Sequence, residues 1–418
     1  MNTDMNNNNY TFTSKTKNIT IGLMTIGLVS IIGGFLTDHA PEGVSHEEYH
    51  HTRLWANLLV NGYFYMGIGL LATFFIAIQY VAEVAWSVAV KRVFEAVSSY
   101  LPIGAVIFLI ILAAGQLHLH HLYHWMDSAT IDPQSPEYDK VIAGKAGYFG
   151  IGKLNWFFWL RTLVYVTVWI IFQQGFIRRS VEQDLQGGTV IHFKQMGKAA
   201  VFLVFFAVTS TTSAWDWMMS IDVHWFSTMY GWYTFAGMFI SAMTTILLFV
   251  IYLKRKGYLE QVNDSHIHDL GKWMFAVSFL WSYLYFCQFM LIWYTNIPEE
   301  TIYFNERLHD FGYMGLMWVV FFMNFLFPMI LLMSRDAKRN FGFLVFVGSI
   351  IFVGHWLDVF MMVMPATVNG HWHLGWMEIG MALGFLGLML YVIHSSLTKR
   401  SLMIQQHPYL DESLHHHI

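Results

Sequence analysis

Apolar residues are gathered into ten runs, each long enough to cross a bilayer as a helix, with short polar connections between them. The runs are Ile19–Leu36, Leu58–Tyr80, Leu101–Leu117, Trp156–Phe176, Ala199–Met219, Met229–Tyr252, Trp273–Tyr294, Gly312–Met333, Phe341–Met364 and Leu374–His394. A helix rises ~1.5 Å per residue, so about 20 apolar residues match the hydrocarbon core. The pattern predicts an all-α integral membrane protein of about ten transmembrane helices. Residues 1–18 are polar and Asn-rich and read as a disordered tail, 19–396 as the polytopic membrane domain, and 397–418 as a C-terminal tail. Lys15 and Lys17 before the first run imitate a signal peptide, but Thr37-Asp38-His39-Ala40 is a poor cleavage site, so an uncleaved helix is expected.

A weak internal repeat divides the domain into two four-helix bundles, 57–220 and 229–364, with one extra helix at each end. Gln116 in the first set parallels Gln288 in the second, and Trp215-Asp216 parallels His355-Trp356-Leu357-Asp358. Each set holds an even number of spans, so both run in the same direction.

Composition agrees with a bilayer. The chain is 56% hydrophobic and 12% charged, with mean hydropathy +0.45, and soluble domains carry about twice that charge. The single cysteine, Cys287, excludes a c-type haem attachment, a Cys-ligated iron–sulfur cluster, a Cys-rich zinc site and an internal disulfide. A formal charge of −4 gives no reason to expect nucleic acid.

Charge also predicts sidedness. The N-terminal tail, alternate loops and C-terminal tail hold 17 Lys and Arg and the opposite loops hold five, which puts both termini in the cytoplasm. Twelve of the 21 histidines fall in or beside the opposite loops. The titratable chemistry is therefore expected outside, in a bacterium on the periplasmic side of the inner membrane.

Four groups stand out. The stretch from Gln116 to Asp127 holds His118, His120, His121 and His124; if it is helical, His120, His121 and His124 can share a face, with Asp127 orienting them as proton acceptors. A wet interfacial patch is the simpler reading of the same residues. In the fifth run Thr209, Ser213 and Asp216 lie along one helix face, a candidate proton path, although transmembrane hydroxyls commonly bond their own i−4 carbonyls. Arg161 in the fourth run is the obvious ion-pair partner for Asp216. His355, Asp358 and Glu378 give the second set its own titratable cluster, with a packing histidine as the simpler reading, while Asn324 and Pro328 are read as a kink.

No metal ligand is assigned. Haem b needs a His from each of two facing helices, and only His355 and His118 are placed for it. A di-iron desaturase or hydroxylase is suggested by His46-x-x-x-His50-His51 and the 118–124 histidines. Such enzymes have fewer spans and keep their histidines on the cytoplasmic side, opposite to the charge count here.

The stretch Ala214-Trp215-Asp216-Trp217-Met218-Met219-Ser220-Ile221-Asp222-Val223-His224-Trp225-Phe226-Ser227-Thr228-Met229-Tyr230-Gly231 resembles the central motif of the ActF subunit family of bacterial alternative complex III. Phe158-Trp159-Leu160-Arg161-Thr162 and the His-rich exit of the third run share the resemblance, which extends over most of the chain after the tail. Two four-helix sets also resemble the wider NrfD/PsrC-type membrane-subunit superfamily in topology. The resemblance implies a quinol:cytochrome c oxidoreductase in which this chain binds no cofactor of its own. It implies menaquinol or ubiquinol as substrate, and as partners iron–sulfur and c-type cytochrome subunits, a homologous membrane subunit and, in some assemblies, a terminal oxidase. On that reading His120, His121 and His124 are candidate bases for quinol oxidation. The alternative within the family is a scaffold or proton conduit without its own quinol site.

Overall fold

The computed structural model describes residues 9–40, 49, 51–152 and 154–417. His46 and His50 of the di-iron reading lie outside the described residues. The protein is an all-α membrane protein with ten helices long and apolar enough to span: α1 (Ser14–Thr37), α2 (Thr52–Val81), α3 (Trp86–Gln116), α4 (Trp156–Gln186), α5 (Val190–Ile221), α6 (Met229–Arg255), α7 (Asp264–Thr295), α8 (Met314–Leu331), α9 (Phe341–Val368) and α10 (Trp376–Leu397). Most lysines and arginines fall at one end of this bundle, termed the basic face, and the opposite end, which carries the 118–124 histidines, is termed the histidine face.

The packing repeats. The first helix of set one, α2, meets its own α3 and α5 and, from the other set, α6 and α9; α6 meets its own α7 and α9 and, from the other set, α2 and α5. Helices α2 and α6 are accordingly the most deeply buried spans, and their small and aromatic residues line the seam. The extra helices α1 and α10 pack on each other, and α10 also packs on α2 and α3. Gly27 and Gly384 make that possible: a Cβ on either would lie 2.4 Å from the other's Cα, so only glycine lets the backbones touch.

Several ends differ from the sequence expectation. α1 begins at Ser14, capped by the Thr13 hydroxyl, and Tyr10 is buried with its hydroxyl 2.8 Å from His394 Nδ1. The polar average of the tail concealed two aromatic anchors, Tyr10 and Phe12, which both stack on His394. α3 begins about four turns before its apolar run, because Arg92 is neutralised inside the bundle by Glu95 (2.5 Å) and Asp184. The C-terminal segment also packs: Ser413 donates to the Trp86 carbonyl (2.8 Å), and His416 reaches Asp269 (2.7 Å). Inside α8 the backbone widens to a π turn over Phe322–Leu326, at the position read as a kink.

Candidate functional site

On the histidine face, loops from both sets enclose a cavity of about 780 Å3. Its wall includes His121, His124 and Asp127 from the segment after α3, Asp139 at the start of the short helix Lys140–Phe149, Asp222 and His224 from the α5–α6 loop, and Glu306 before α8. A smaller cavity of about 200 Å3 shares His121 and His124 and adds His371.

The segment after α3 is not a helix. Leu117 ends the span and His118 takes a left-handed backbone (φ 55°), so the chain doubles back and the helical spacing of the histidines is lost. His120 is 1% exposed. Its Nε2 meets the Ile111 carbonyl at 3.0 Å, its Nδ1 accepts the Leu122 amide at 3.3 Å, and the ring packs on Trp55. Burial pushes its pKa down to about 4, and His121 adds to that against the Ile111 bond. His120 is therefore the lock of the turn rather than a wall of the cavity. His124 is exposed on the cavity wall, and desolvation followed by His224 lowers its pKa. Asp127 does not orient the histidines through a hydrogen bond: its Oδ1 accepts the Ala129 amide at 2.8 Å and starts the turn Ser128–Ile131.

Opposite them Asp139 caps its helix through the Val141 and Ile142 amides and holds His224 Nε2 at 2.6 Å. Desolvation alone would raise the Asp139 pKa, but these bonds together lower it. Asp222 and Glu306 go the other way. Burial raises both, Asp222 raises Glu306 further, and Arg307, His224 and Lys145 only partly offset the effect on Asp222. The cavity thus combines one carboxylate whose pKa is lowered with two whose pKa is raised.

The floor is rigid. Trp225 stacks on Tyr303 (4.0 Å, 17°) and donates to the Glu300 carbonyl at 3.1 Å, fastening the α5–α6 loop to the second set. Arg307, 3% exposed, lies over the Tyr303 ring and donates to the carbonyls of Tyr303 (2.8 Å) and Met361 (3.3 Å).

Arg161 and Asp216 meet below this floor in a two-toothed ion pair, Nε–Oδ2 2.9 Å and Nη2–Oδ1 2.8 Å. Asp216 is fully buried, and the third guanidinium arm donates to the Tyr148 carbonyl at 2.7 Å. The polar stripe beneath is divided rather than continuous. Thr209 accepts Trp169 Nε1 (3.0 Å) and donates to the Phe205 carbonyl, and Ser213 donates to the Ser210 carbonyl. Among the described residues no hydrogen bond links Ser213 to Asp216.

The last group separates in space. Asp358 accepts from Tyr233 and from Trp281 Nε1 (3.0 Å), with His355 Nδ1 at 3.8 Å. Glu378 belongs elsewhere: it caps α10 through the Gly375 amide (2.9 Å) and binds Arg53 (Nη2 at 2.6 Å) and Asn57 (3.0 Å) on α2. Arg53 and Arg307 were not singled out from sequence. Their signal was that each is a lone cation in an otherwise acidic loop region of the histidine face. Among the described residues no three His, Cys, Asp or Glu side chains converge in a metal-binding group.

No protein-family model matches this chain, and no curated protein does. Functional assignment therefore rests on chemistry and on the motifs quoted above.

Proposed function

We propose that the protein is a membrane subunit of a respiratory quinol:cytochrome c oxidoreductase, sited in a bacterial inner membrane with both termini cytoplasmic. Its part in the reaction is proton handling on the periplasmic side. The observation that carries this reading is the cavity on the histidine face, where His121, His124 and His224 stand beside carboxylates of opposite tendency. Quinol oxidation releases two protons with two electrons, and a cavity lined by imidazoles and by carboxylates shifted in opposite directions offers groups that can accept and discharge them. The resemblance to the ActF family supports the same reading and supplies the expected partners: iron–sulfur and c-type cytochrome subunits and a homologous membrane subunit. Electrons need those partners, since nothing in this chain is assigned to carry them.

His120, named with His121 and His124 as a base, is withdrawn from that role because both ring nitrogens are bonded to backbone. His121 and His124 keep it, and Asp222 joins them on the cavity wall. The family alternative, a proton-conducting or scaffolding subunit without its own quinol site, is favoured by one observation: the cavity is lined mainly by residues of the connecting loops rather than of the spans. The test is gentle purification of the native assembly, followed by quinol:cytochrome c turnover and proton release. Co-purification of haem and iron–sulfur subunits with activity lowered several-fold by His124→Ala is expected. An isolated chain that retains stoichiometric iron would overturn the assignment.

A further inference from the structure

The two sets differ in what surrounds their matching carboxylates. In set one Asp216 is saturated by Arg161. In set two Asp358 is satisfied by Tyr233 and Trp281, and His355 Nδ1 approaches it only to 3.8 Å. His355 is 0% exposed, and neither ring nitrogen makes a hydrogen bond. The Trp281 ring stands perpendicular to it at 5.1 Å.

Two further side chains in the same region share this condition. Asn324 is 0% exposed, and neither its carbonyl nor its amide group is bonded. The π turn in α8 carries it inward while Phe322 and Phe327 on either side are exposed. Its amide lies against the backbone next to His355: a Cβ on Gly354 would come within 2.1 Å of Asn324 Oδ1. Ser278, also 0% exposed, has an unbonded hydroxyl. It sits one turn before Trp281, and both Ser278 and His355 lie fourteen residues from the basic-face ends of their helices, Asp264 and Phe341. That separation corresponds to ~21 Å of rise, near the middle of the bilayer.

A buried polar group without a hydrogen bond is destabilising, and three residues on three helices share that condition here. Apolar residues of similar shape would remove the cost. An imidazole, a carboxamide and a hydroxyl together offer both donors and acceptors, and the neighbouring carboxylate, Asp358, is already engaged by Tyr233 and Trp281. That inventory suits a small neutral molecule with two donors and two acceptors, and a buried water needs two to four such partners. We propose that Ser278, Asn324 and His355 hold a cluster of buried water molecules midway across the second set, and that the π turn of α8 exists to aim Asn324 into it. The proposal is independent of the respiratory reading. It makes set two the half of the molecule in which water reaches mid-membrane.

The test uses the full chain, in the assembly in which it purifies, in lipid nanodiscs. Infrared difference spectra in H2(18)O against H2(16)O report O–H stretches of internal water. Part of that signal is expected to vanish in Asn324→Leu and in Ser278→Ala, with a lower melting midpoint for both. Signal unchanged in both variants overturns the proposal. So does a higher melting midpoint for Asn324→Leu, because a dry site gains when an unsatisfied amide is replaced by a side chain of like shape. If Asn324→Leu fails to fold, Ser278→Ala, which only removes an oxygen, decides the outcome alone.

Discussion

At the scale of single residues, the Arg161–Asp216 pair shows how a charge is kept in a membrane helix. Asp216 has no exposure, and both of its oxygens are met by one guanidinium that also lies over the rings of Tyr148 and Phe157. Removing one partner strands the other, at a cost of about 3–5 kcal/mol. Asp216→Asn is therefore expected to lower the melting midpoint of the chain in nanodiscs by several degrees. The joint change Arg161→Met with Asp216→Leu is expected to recover most of that loss. Recovered stability with turnover still depressed would give the pair a part in proton movement beyond holding α4 to α5. His120 offers a second test, through pH. Its folded pKa, about 4, lies below the ordinary value of 6.5, so the unfolded chain binds the extra proton. The stabilisation is complete above pH 6.5, falls as pH drops from 6.5 to 4, and changes no further below that. Its size is at most about 3 kcal/mol. Melting midpoints measured from pH 7.5 to 4 should fall less steeply in His120→Gln than in the parent chain.

At the scale of elements, α1 and α10 are joined by absence of side chain. Gly384→Leu must force the two backbones apart, since its Cβ alone would meet Gly27 Cα at 2.4 Å. A loss of several degrees in melting midpoint is expected, against no change for Gly22→Leu, where nothing lies within 4 Å. The spans themselves were legible in the sequence, because the bilayer fixes their length and leaves little else to fold a run of apolar residues. What escaped were places where a local partner overrides the pattern. Lys91, Arg92 and Glu95 read as loop because they are charged, yet Arg92 is cancelled internally by Glu95 and Asp184 and the helix continues through them. The histidines after Gln116 read as helix because no Gly or Pro interrupts them, and His118 breaks the period by taking a left-handed backbone without either. Glu378 was grouped with His355 and Asp358 by depth alone. Depth along the chain says nothing of azimuth, and Arg53 on α2 holds Glu378 away from that pair. The Arg161–Asp216 contact was legible because two opposite charges in adjacent spans have few other partners.

At the scale of the whole molecule, the repeat explains why the candidate site lies where it does. With α2 and α6 exchanging the same contacts at the centre, the loops of both sets meet over one seam on the histidine face, and the α5–α6 loop crosses it. Neither set alone has all the walls of that cavity: His121, His124 and Asp139 come from set one, and Glu306 and Asn369 from set two. A site of this kind is useful only if it opens to the side where protons are released, so sidedness is the decisive global property. The 17-to-5 bias of Lys and Arg is the ground for the proposal that the histidine face lies outside. Because the chain has one cysteine, Cys287, the orientation can be read with single thiols in a Cys287→Ser background. Glu137 and Glu412 are both exposed, one beside the cavity and the other on the basic face. A membrane-impermeant maleimide added to intact spheroplasts should label Glu137→Cys and spare Glu412→Cys, with both labelled after lysis. The reverse pattern would turn the cavity toward the cytoplasm, where it could serve proton uptake but not release, and the proposed direction of the chemistry would fall with it.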